Sequence, residues 1–89
     1  MQPEKAVQLT ASLYQARKVA RSTLGDRYAD KMREYGAAID TVARLKKIER
    51  LAAAILMAKQ STADGNGLTS LFVMAAAVEL IEPSAETPA

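Results

Sequence analysis

The stretch LTSLFVMAAAVELI, residues 68–81, has no polar side. On a helix, Leu68, Leu71, Phe72, Ala75 and Val78 form one stripe, while Val73, Met74, Ala76, Ala77, Leu80 and Ile81 fill the other faces. Only Thr69, Ser70 and Glu79 interrupt them. A helix at the surface of a globular protein keeps a charged face opposite its apolar one, and a helix apolar all round needs cover all round. The fold must supply that cover from within the chain or from a second molecule.

The rest of the chain predicts what is available to do so. Pro3 and Glu4 suit a first helical turn. Ala6, Leu9, Leu13, Ala16, Ala20 and Leu24 then recur at steps of three and four up to Gly25, a left-handed stop. The spacing predicts a first helix over 3–24. Asp26 can cap a second helix with the stripe Tyr28, Met32, Tyr35, Ile39, Val42. Beyond Val42 the apolar positions slip by one residue, to Leu45, Ile48, Ala52 and Ile55. Such a slip rotates the stripe by about 100°. Either the helix ends and restarts, or its two halves face different neighbours. No proline lies between Pro3 and Pro83, and the candidate breaks are Gly36 and Asp40. Gly36 costs about 1 kcal/mol in a helix, and Asp40 also sits four residues before Arg44 as a favourable pair. The expectation is one long helix over 26–62. ADGNG, residues 63–67, ends it. Asn66 or Thr69 then caps a third helix over 68–81.

This is an all-α chain: a hairpin of a long second helix with the first, and a short apolar third helix folding back on the long helix's distal half. Residues 1–82 form one domain, and 83–89, with two prolines and no large apolar side chain, a disordered tail. In that arrangement the third helix has cover on one face only. A second copy, giving a dimeric helical bundle about a twofold axis, is the simplest remedy. Ile55, Leu56, Leu71, Phe72, Val73 and Ala76 are then the expected interface. The alternative is a break in the long helix, with the first helix swung over the third and everything buried in one compact monomer.

Charge is unevenly spread. Residues 1–59 hold all twelve lysines and arginines against six acids, and residues 60–89 hold four acids and no base. This asymmetry implies either complementarity within the chain or a basic body that meets an acidic partner. Two clusters stand out, Arg17, Lys18 and Arg21, and Arg44, Lys46, Lys47 and Arg50. Arg17 with Arg21, and Lys46 or Lys47 with Arg50, share a helix face, and Arg17, Arg21, Arg44, Lys47 and Arg50 are the candidate contacts for an anionic partner. The bland reading of such runs is a solvated face. Asp26, Asp30 and Glu34 also line one face, but Arg27, Lys31 and Arg33 interleave with them, which reads as ion pairs rather than acid–base chemistry.

Histidine and cysteine are both absent, which removes the commonest general base and metal ligand, all thiolate sites and all disulfides. There is no Walker A run, dinucleotide fingerprint, nucleophile elbow or calcium loop. The expectation is a non-enzyme with no metal and no cofactor. The first residues carry Glu4 and lack a continuous apolar stretch, and no run approaches the roughly 20 residues that span a bilayer. A cytoplasmic protein without membrane contact is expected, bacterial or in a host cell if phage-encoded. Its expected work is self-association through residues 51–80 and binding of another protein, as an adaptor, modulator or inhibitor. A small basic dimer binding nucleic acid through Arg44–Arg50 is the alternative.

Overall fold

A computed structural model describes residues 3–82, with side chains from residue 11 onward. Its elements are α1 (Pro3–Leu24), a 3-10 turn (Gly25–Arg27), α2 (Tyr28–Lys46), α3 (Arg50–Ala63) and α4 (Gly67–Ile81). No strand occurs among the described residues, so the all-α, bundle-like class stands. The disordered tail expected at 83–89 lies outside them.

The segment expected to be one helix is two. α2 stops at Lys46, and Lys47 turns left-handed at φ 57°, ψ 46°. The Lys47 amide donates to the Arg44 carbonyl at 3.3 Å and the Ile48 amide to the Ala43 carbonyl at 3.0 Å. These are the paired bonds of a Schellman stop, and Ile48 packs against the core together with Ala43. Glu49 is extended, at φ −71° and ψ 157°, and α3 restarts at Arg50. The one-residue slip of the apolar stripe is thus resolved by ending the helix. Leu45, which continuity would have placed in the seam, is left 77% exposed. Neither suspected break point is used: Gly36 and Asp40 lie inside α2. A Cβ at Gly36 would meet the Leu80 side chain at 3.6 Å, ordinary contact, so the glycine marks a close approach of α2 to α4 without being required by space.

With the chain turned at Lys47–Glu49, α1 is not a hairpin partner of α2. It lies across α4, and α2 and α3 pack on α4 as well, while α1 and α2 share little surface. Three consecutive alanines report this geometry. Ala75, Ala76 and Ala77 are each at most 1% exposed, and consecutive residues point about 100° apart on a helix. Burial of all three requires neighbours around most of the circumference. Phe72, Val73 and Val78 are buried with them. Small residues on the surrounding helices, Ala20 on α1 and Ala53 and Ala54 on α3, belong to the same core. The expectation of a second copy rested on missing cover for this helix, and α1, α2 and α3 supply it. The radius of gyration is 12.6 Å, against about 12 Å for a packed domain of this length.

The helix ends follow local chemistry. Gly25 closes α1 at φ 56° and Gly65 closes α3 at φ 81°. Asn66 caps α4, its side-chain oxygen accepting from the Thr69 amide at 3.1 Å.

Candidate interaction surfaces

The five candidate basic contacts fall into two groups that the fold treats differently. Arg17 and Arg21 on α1 face the C-terminal end of α4. Their guanidiniums lie 3.8 and 3.6 Å from Glu79 Oε2, and Arg17 Nη1 donates to the Glu82 carbonyl at 3.0 Å. Tyr14 donates its hydroxyl to Glu82, and Tyr28 donates to Glu79. Each guanidinium also lies over one of these rings, Arg17 at 5.3 Å from the Tyr14 centroid and Arg21 at 5.5 Å from that of Tyr28. The result is a clamp. A carboxylate at a helix C-terminus opposes the helix dipole, and two arginines offset that penalty at Glu79. The Tyr28 phenol is pushed well above its usual range, first by burial, then by its hydrogen bond to Glu79 and the negative charge there. Tyr14 is raised as well, mainly by its bond to Glu82. The complementarity implied by the charge asymmetry is here within the chain: basic α1 holds the acidic end of α4.

Arg44, Lys47 and Arg50 cluster at the α2–α3 corner. Arg44, Leu45, Lys46, Lys47, Glu49 and Arg50 are all exposed. Arg50 pairs with Asp40, Nε to Oδ1 at 2.9 Å. Among the described residues Arg44 and Lys47 make no ion pair. Leu45 lies between them in sequence. Sequence reasoning missed Leu45 as a surface residue because its spacing fits an apolar stripe. The only available sign was the stripe's slip.

The apolar candidates divide too. Phe72, Val73 and Ala76 are buried in the chain's own core, so the folded chain does not present them as a surface. Ile55 and Leu56 on α3 and Leu71 on α4 are half-buried. Ile55 borders a groove of about 320 Å³ between α1, α3 and α4. The remaining acidic face is a row of exposed pairs, with Arg33 on Asp30 and Lys31 Nζ 3.8 Å from Glu34.

Among the described residues no group of side chains is placed to hold a metal ion, and no helix is long and apolar enough to cross a membrane. Comparison of the chain with protein-family models, curated proteins and solved structures returns no match.

Proposed function

We propose that this chain is a non-enzymatic helical protein that works by binding another protein, as an adaptor, modulator or inhibitor, and that the α2–α3 corner makes the contact. One observation carries the reading: Leu45, 77% exposed, lies in the last turn of α2, flanked in sequence by exposed Arg44, Lys46 and Lys47, the last of which holds left-handed backbone. A single exposed leucine is ordinary. Here the exposed leucine has cations as its neighbours in sequence, and two backbone hydrogen bonds end the helix just after it. That is the layout of an anchor with a charged rim, in which the anchor supplies affinity and the rim supplies orientation and encounter rate. A left-handed non-glycine residue costs about 1–2 kcal/mol, and such strain collects at functional positions. The complementary partner is an acidic protein surface with a small apolar pocket.

The reading is tested with a photo-crosslinking amino acid at position 45 in cells that carry the protein. The expected result is a discrete protein adduct that survives nuclease and disappears when Arg44 and Lys47 are both changed to Glu. An adduct destroyed by nuclease would replace this reading with nucleic-acid binding, whose salt dependence would then follow the number of phosphates neutralised. No adduct at all would remove the corner as a binding surface.

A further inference from the structure

The groove between α1, α3 and α4 is remote in chemistry from the basic corner and extends beyond the reading above. Its lining is Ser12 and Leu13 from α1, Ile55, Ala58, Lys59 and Thr62 from α3, and Ser70 and Met74 from α4. Leu13, Ala58 and Ser70 are buried and form the floor. Ile55 and Met74 are half-buried walls, and Ser12, Lys59 and Thr62 are exposed at the mouth. The α3 residues fall at steps of three and four, so they share one face of that helix. Thr62 donates its hydroxyl to the Ala58 carbonyl of its own helix at 3.0 Å.

We infer that this groove binds a free linear anionic amphiphile, an alkyl carboxylate of medium chain length, with the chain on Leu13, Ile55, Ala58 and Met74 and the carboxylate at Lys59. Three features select this occupant. The volume, about 320 Å³, lies at the small end of the range for ligand sites, roughly 300–1,000 Å³. The lining surface is mostly apolar, supplied by Leu13, Ile55, Ala58 and Met74, which favours an alkyl chain over a ligand that is polar along its whole length. The mouth carries one cation, Lys59, and no carboxylate lines the groove among the described residues, so the head group it favours is an anion.

The test is an NMR titration of the full chain with octanoate and decanoate below their micelle concentrations, with decanol and decyltrimethylammonium as head-group controls. The amides of residues 12, 55, 59, 62, 70 and 74 are expected to shift together and saturate at one ligand per chain. Decanoate should bind about tenfold more tightly than octanoate, as two added methylenes require, and several-fold more tightly than decanol. Two variants at exposed positions leave the core intact. Ser12→Trp fills the mouth and should abolish the shifts, and Lys59→Glu should reverse the head-group preference toward the ammonium. Circular dichroism checks that both stay folded. Shifts that do not saturate, equal affinity for both charged head groups, or decanoate binding unchanged in both variants would each overturn the proposal.

Discussion

Two stretches of this chain look adhesive as sequence, the apolar run at 67–81 and the basic run at 44–50, and the fold puts them in opposite places. The apolar run becomes the axle of the domain, with α1, α2 and α3 packed around it. The basic run becomes an exposed corner, with Leu45 carried outward. Hydrophobicity without a polar face signals that cover is needed, and here α1, α2 and α3 around α4 supply it. What brings α1 and α2 onto α4 here is a local event, the stop at Lys47, because an unbroken helix over 26–62 would hold its two halves in line and leave α4 with one neighbour at each level.

The largest expected effect breaks the axle. Val73 is 1% exposed, and Val73→Glu puts an unpaired carboxylate into the core, costing more than about 4 kcal/mol. That is a large share of the roughly 4–13 kcal/mol expected of a domain this size. Circular dichroism should show a chain mostly unfolded. Leu45→Glu, at the corner, should change stability by no more than about 0.5 kcal/mol. A folded, well-behaved Val73→Glu protein would return α4 to the surface.

A second contrast separates the ion pairs. Glu79 is 19% exposed and holds both arginines of α1 and Tyr28. Glu79→Ala should cost about 2 kcal/mol, below the value for a fully buried pair because some water reaches the site. Asp40→Asn, which removes the exposed partner of Arg50, should cost less than about 0.5 kcal/mol. Urea unfolding of the two variants measures both. Equal losses would mean that the clamp is no more than a surface pair.

Tyr28 sharpens the same point through pH. Its phenol keeps its proton in the folded chain above the usual value of 10.0, whereas the unfolded chain releases it near that value. The unfolded state therefore binds fewer protons above pH 10, and stability falls as pH rises, by about 1.4 kcal/mol per unit for each such group. The contribution is fully present below pH 10. Tyr28→Phe should cost about 1 kcal/mol at neutral pH and flatten the alkaline decline. An unchanged slope would mean that the burial and the Glu79 bond do not hold the proton.

The smallest effect concerns the stop. Gly65 and Lys47 occupy the same position of the same motif: the Gly65 amide donates to the Thr62 carbonyl at 2.9 Å and the Asn66 amide to the Ser61 carbonyl at 2.7 Å. Lys47→Gly relieves the left-handed strain and should stabilise by something under about 1 kcal/mol, since glycine also gives the unfolded chain more freedom. Destabilisation would show that Lys47 is not held left-handed.

This pair of stops also explains what was legible. Gly25, and Gly65 with Asn66, mark two helix ends in plain sequence because glycine tolerates positive φ. The bounds of α1 and α4 followed within a residue or so. Lys47 carries no such mark, and the slip between Val42 and Leu45 recorded the break without saying whether the helix ended or turned to a new neighbour. The long helix, the hairpin of α1 on α2 and the uncovered α4 all came from that one undecided point. The basic clusters were legible as faces, but their partners were not. Glu79 and Glu82 lie more than sixty residues from Arg17, and only the charge imbalance between the two parts of the chain hinted at them. The groove involves one residue of the expected interface, Ile55, and is otherwise assembled from three helices whose mutual packing no local pattern specifies.

Native-state amide exchange, followed across roughly a hundredfold range of protein concentration, tests most directly whether α4 is axle or surface. The amides of residues 71–80 are expected to be among the slowest in the chain, exchanging only through global unfolding, at rates that do not change with concentration. Fast exchange there in dilute solution, slowing as concentration rises, would contradict the account and show that a second copy provides the cover assigned here to α1, α2 and α3.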